Sequence, residues 1–193
     1  MTPSFLEQLS QPRPDPGGGA AAAYGGMLAL ALVAKVAQLE AQRPANQGNR
    51  QVWEEKLGEI KLLSGDLERL REEDVRAYSQ IAQVRASGSR GPEWQEAVEY
   101  ALKVPQEIMA RAREALALLA WAGARCRRHL VSDLQVGREF LGATLQGAYH
   151  IARANLPLVA DASRQLELSQ SLSQDETLGR QAFLEAGEIL AGR

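Results

Sequence analysis

Two carboxylates, one amide and a glycine turn are the places where this sequence could do chemistry. Asp74 falls on a helical seam that is otherwise apolar, through Leu63, Leu67, Leu70, Ala77 and Ile81. A lone charge on such a seam is costly, so Asp74 faces either a partner or a wet cavity. An ion pair with Arg125 or Arg153 and a proton-transfer role are both open readings. Ser132-Asp133 opens a further helical pattern, where a helix start explains the pair as well as catalysis does. Asn155 precedes Leu156-Pro157 and either caps its helix or offers an amide. Gly17, Gly18 and Gly19 follow Pro14-Asp15-Pro16 and run into four alanines. Such a turn caps a helix whose first amides lack partners inside it, and it can accept an anion or a carbonyl.

Other chemistry is thinly represented. There is no phosphate loop, no dinucleotide fingerprint beside a strand, no His-Glu-x-x-His and no nucleophile elbow. His129, His150 and Cys126 do not stand at metal-ligand spacing, so no metal is expected. A single cysteine cannot form an internal disulfide, which suits a reducing, cytoplasmic setting. The formal net charge of -2 provides no basic field for nucleic acid. The uncharged run from Pro16 to Ala34 is mostly Ala and Gly and lacks the basic flank of a signal peptide. It is expected to be a buried helix, with no membrane involved.

The elements that must position these residues are all helical. A single domain over residues 1–193 is expected, an all-α bundle of six to seven helices. A short helix spans Thr2 to Ser10. The next runs from Gly18 to Gln42 with Leu28, Leu32, Val36 and Leu39 as its buried stripe. Gly25 and Gly26 within it each cost about 1 kcal/mol relative to alanine, which a closely approaching helix would offset. A third helix covers Gln51 to Ala86 and ends in the turn Ser87 to Gly91. A fourth begins at Pro92 and reaches Arg128, with a kink or break expected near Val104 because Pro105 removes a hydrogen bond. Ser132 to Gln135 reads as a capping box for a helix to Asn155. Ser173 to Glu176 reads as another, opening a last helix with Leu178, Phe183, Leu184 and Leu190 turned inward.

Taken in order, these features resemble the formiminotetrahydrofolate cyclodeaminase and methenyltetrahydrofolate cyclohydrolase family of all-helical enzymes. The resemblance rests on Phe5-Leu6 with Leu9, Pro16 to Ala22, Asp74 with Ala77-Tyr78, Val104-Pro105, Ser132-Asp133-Leu134, and Gly147-Ala148 followed by Arg153 to Leu156. It implies a homodimer that takes a tetrahydrofolate derivative as substrate, needs no metal and can work beside a formiminotransferase. The implied reaction is cyclodeamination of 5-formiminotetrahydrofolate; methenyltetrahydrofolate cyclohydrolase activity is the near alternative. The resemblance points to Asp133 and Asp74 for proton transfer, and to Gly17, Gly18, Gly19, Ser132, Arg153 and Asn155 for folate binding. This chain departs from the family pattern at three places. Ala20 stands where serine is common, Glu40 to Pro44 replaces a threonine and a glycine-lysine stretch, and Ile151 stands where asparagine is frequent. These departures motivate a competing reading, a non-catalytic helical dimer that keeps the scaffold.

Overall fold

A computed structural model of the chain describes residues 4–88 and 90–193. The described residues form six α-helices: α1 (Phe5–Leu9), α2 (Gly18–Ala41), α3 (Arg50–Ser87), α4 (Pro92–Gly123), α5 (Val131–Asn155) and α6 (Ala162–Ala191). Short 3-10 turns lie at Pro44–Asn49, Arg128–Leu130 and Leu156–Leu158, and the described residues contain no strand. The all-α expectation therefore stands. The expected helix start at Thr2 and the turn residue Ser89 lie outside the described residues. Ser4 caps α1 through a reciprocal pair with Glu7.

The bundle is organised around α2, which packs chiefly between α3 and α5, with α4 behind it. Its glycines explain how it fits. A Cβ at Gly26 would stand 2.8 Å from Leu67 Cδ1, and one at Gly25 would stand 3.2 Å from Thr144 Oγ1. The Thr144 hydroxyl lies 2.9 Å from both the Ala22 and Phe140 carbonyls, which ties α5 to α2 at their closest approach. The close approach inferred from Gly25-Gly26 is thus present on two sides. By length and composition α2 could cross a bilayer, yet Ala20, Ala23, Ala29, Val33, Val36 and Ala37 are wholly buried in the bundle.

Several sequence expectations need correction. Of the expected buried stripe of α2, Val36 is buried and Leu32 half-buried, but the two outer leucines are not. Leu28 and Leu39 are exposed, because two neighbouring helices are packed on the small residues and leave a leucine face without a partner. The fourth helix ends at Gly123 instead of Arg128, and Arg127 turns back toward α2. It is also unbroken at Pro105. Ser132 does not cap α5, whose N-cap is Leu130 with no side-chain hydrogen bond. Ser173 lies in the middle of α6, its hydroxyl donating to the Ser169 carbonyl at 2.9 Å, while Asp161 caps the true start. A capping-box pattern inside a long helix is simply read through when tertiary packing continues on both sides. Leu178 and Leu184 are exposed, and Leu172, Ala186 and Leu190 carry the inward face of α6.

At the far end of α2, Glu40 has no exposed surface. Its Oε1 accepts from the Arg127 backbone N–H at 3.1 Å and from Arg127 Nε at 2.8 Å, and its Oε2 accepts from Asn46 Nδ2 at 2.6 Å. One carboxylate thereby fastens the α4–α5 connection and the Pro44–Asn49 turn to α2. The unexpected Glu40-to-Pro44 stretch is a structural joint.

Candidate functional site

The first turn of α2, the middle of α3 and the end of α5 meet at a recess of about 340 Å³. Its walls include Gly17, Gly18 and Gly19, then Asp74, Tyr78, Ile81 and Arg85 from α3, Ala101 from α4, and Ile151, Ala154 and Asn155 from α5. Positions 74, 78, 81 and 85 fall on one helical face, so a single stripe of α3 supplies a carboxylate, a phenol, an apolar contact and a cation.

Asp74 reaches the helix start because Gly19 has no side chain. A Cβ there would fall 2.5 Å from the Asp74 Cγ. Asp74 Oδ2 accepts the Ala20 backbone N–H at 2.8 Å, so the aspartate caps α2 from another helix. The sequence readings of a lone carboxylate paired with Arg125 or Arg153 are both replaced by this contact. Arg125 instead donates to the Trp121 carbonyl and lies over the Trp121 ring, and Arg153 is exposed. The glycine turn is also less open than its sequence suggests, since the Ala20 amide is taken. For the Gly18 and Gly19 amides, no acceptor is found among the described residues.

Burial pushes the Asp74 carboxyl above its ordinary range, and the Ala20 N–H only partly opposes this. A group held in this way keeps its proton to a higher pH than a surface aspartate. Among the described residues nothing donates to Oδ1, so one carboxyl oxygen remains for a ligand. Gly19→Ala is expected to drive this carboxyl away from the turn. Alanine is the better helix former by about 1 kcal/mol, yet the substitution should abolish activity. Thermal melting beside a turnover assay would separate the two effects.

Asn155 is anchored across the recess. Its Nδ2 donates to the Ala101 carbonyl at 2.8 Å. Trp94 Nε1 reaches the Leu158 carbonyl at 3.4 Å and holds the segment after α5 against α4. Ile151, one of the positions that depart from the family pattern, lines the recess and places its Cδ1 3.2 Å from where a Gly18 Cβ would be. One wall is apolar there instead of amide-bearing.

The structure therefore brings together Gly17, Gly18, Gly19, Asp74 and Asn155, and it leaves three expected residues elsewhere within the chain. Asp133 pairs with Lys35 at 2.9 Å on the outer face of α2 and α5. Lys35 is sixteen residues along α2 from Gly19, or roughly 24 Å at 1.5 Å per residue. Ser132 and Arg153 are exposed and do not line the recess. Arg85 was missed by the sequence reading, although the 74-78-81-85 spacing was there to find it. A neighbouring recess of about 390 Å³ shares Asp15 and Val75 with the first and carries Arg13, Arg71 and Arg76. Arg71 Nε is buried there with no hydrogen-bond partner among the described residues. Among the described residues no group of three or more His, Cys, Asp or Glu side chains is placed to hold a metal ion.

Fold and site together define an all-helical fold with a ligand-sized recess between α2, α3, α4 and α5, holding a half-buried carboxyl and an anchored amide. The chain belongs to the formiminotransferase-cyclodeaminase family, whose profile matches residues 1–174. The crystal structure of a formiminotetrahydrofolate cyclodeaminase from Thermotoga maritima superposes with a TM-score of 0.88 at 21% identity, over 98% of this chain and 96% of that one. That likeness shows a shared fold. No curated protein matches significantly.

Proposed function

We propose that the chain is a tetrahydrofolate one-carbon enzyme, acting as a formiminotetrahydrofolate cyclodeaminase at the glycine-turn recess. Half-buried Asp74, with one oxygen held by a helix start and the other available, is the observation that carries this reading. In cyclodeamination N10 attacks the formimino carbon and its proton passes to the imino nitrogen, giving a tetrahedral centre bonded to N5, N10 and an amino nitrogen. Protonation of that nitrogen releases ammonia and leaves the methenyl cation. Asp74, whose carboxyl burial pushes above its ordinary range, is the donor for that step, worth roughly 10²–10⁴-fold for a well-placed general acid.

Binding follows from the same walls. Asn155, with the Gly18 and Gly19 amides, would meet the polar edge of the pterin, and Tyr78 offers an aromatic face. Arg85, with Arg13, Arg71 and Arg76 next door, supplies cations for the carboxylates of the glutamate tail. A homodimer would explain the unpartnered leucines. Leu28, Leu39, Val136 and Phe140 are all exposed on the α2–α5 face that carries the Lys35–Asp133 pair. A second copy seated on that face is how Asp133 and Ser132 would enter a site, and Asp133 remains a candidate by that route.

Calorimetry with folinic acid tests the recess directly. Wild-type protein should bind, and Ala154→Trp, which fills the recess from its exposed rim, should weaken binding at least tenfold. Equal binding by both proteins would move the site elsewhere, and no binding by wild type would overturn the folate reading.

A further inference from the structure

The route by which α4 passes through Pro105 unbroken bears on what the recess recognises. A proline has no N–H, so in a helix the carbonyl four residues earlier loses its partner. Here that carbonyl belongs to Ala101, and the Asn155 Nδ2 group occupies it at 2.8 Å. Pro105 is buried, and both Ala101 and Asn155 line the recess. A carbonyl can be met only by the amino end of the side-chain amide. Asn155 is therefore fixed in one of its two flips, and nothing among the described residues donates to its Oδ1.

We propose that Pro105 is a positioning residue for the recess. By withholding the amide that would compete for the Ala101 carbonyl, it holds Asn155 so that Oδ1 presents an acceptor to ligands bearing an N–H edge. With an N–H at 105, the Ala101 carbonyl would be shared between the helix and Asn155, weakening the contact that orients the amide. A free amide can offer donor or acceptor; a locked one discriminates. The inference rests on the recess being the ligand site, and it names the polarity of one contact there: the ligand donates.

A double-mutant cycle and one spectroscopic signal test it in the full-length protein. Pro105→Ala restores an amide to the interior of a helix, so circular dichroism and the thermal midpoint should hold or improve. Folinic acid should nonetheless bind about fivefold more weakly, the scale of one oriented hydrogen bond. Asn155→Ala should weaken binding by at least as much. Adding Pro105→Ala to Asn155→Ala should then cost nothing more. In the nitrogen-proton spectrum, the Asn155 side-chain amide, assigned by its loss in Asn155→Ala, should exchange slowly in wild type and fast in Pro105→Ala. Additive losses in the cycle, or an Asn155 amide unchanged by Pro105→Ala, would overturn the proposal. If wild type fails to bind folinic acid, the folate reading falls, and the amide signal still decides whether Pro105 holds Asn155.

Discussion

Asp74→Asn is expected to lower turnover by more than about 100-fold while leaving the protein folded and at least as stable at neutral pH. The two halves of this result have one cause. Burial raises the Asp74 carboxyl above its ordinary value, against the weaker opposing pull of the Ala20 N–H. A carboxyl whose pKa is raised by folding contributes its full stability below its unfolded pKa. That contribution is lost as pH rises through the folded value. Asparagine cannot ionise, so it escapes the penalty at neutral pH, and its carbonyl oxygen can still accept the Ala20 N–H. Any change from the altered cap should stay within about 1 kcal/mol. A group acting as acid should also give a turnover that falls as pH rises through the raised pKa, and Asp74→Asn should remove that limb. Thermal melting with a pH–rate profile reads both. Lost stability with normal turnover would show that Asp74 is only a cap.

Glu40→Ala should have the largest effect on stability and no direct effect on the recess. The Glu40 carboxylate has no exposed surface, while the Arg127 side chain is 35% exposed. Removing one partner of a buried pair costs about 3–5 kcal/mol, and the partial exposure of Arg127 favours the lower end. Burial alone would raise the Glu40 carboxyl, but the Arg127 and Asn46 hydrogen bonds outweigh it and hold it below its ordinary 4.5. A lowered carboxyl contributes stability above its unfolded pKa and loses it as pH falls through the folded value. Acid unfolding should therefore be steeper in wild type than in Glu40→Ala. Urea melts at pH 7 and at pH 4 measure both differences.

The fold was legible in the sequence wherever helical periodicity and glycine punctuation agreed. The α3 seam lies where the spacing puts it, and Gly25-Gly26 marked a close helix approach. What misled was local capping chemistry. Ser132 and Ser173 carry the right residues at the right spacing, but a helix end also requires that packing stop there, and nothing local encodes that. The leucines of α2 misled in a related way. The small residues of α2 take the inner faces, and Leu28 and Leu39 are left exposed.

The site was legible in part. Asp74 stood out as a charge on an apolar seam, and Gly19 as part of a turn, but the bond that ties the carboxyl to that turn could not be read because it joins Asp74 to Ala20, 54 positions away. Asn155 and Pro105 were visible as separate oddities. Their connection through the Ala101 carbonyl is a matter of which helix lies beside which. Of the three departures from the family pattern, Glu40 serves a buried joint far along α2, and Ala20 gives only its backbone N–H to Asp74. Ile151 alone lines the recess, so it is the departure that most directly bears on chemistry.

Ammonia release from 5-formiminotetrahydrofolate, followed with purified wild-type protein and with Asp74→Asn in parallel, tests the central claim most directly. Release by wild type, reduced more than about 100-fold by the substitution, is the predicted result. Folinic acid binding without ammonia release by wild type, or release that survives the loss of the Asp74 carboxyl, would contradict it.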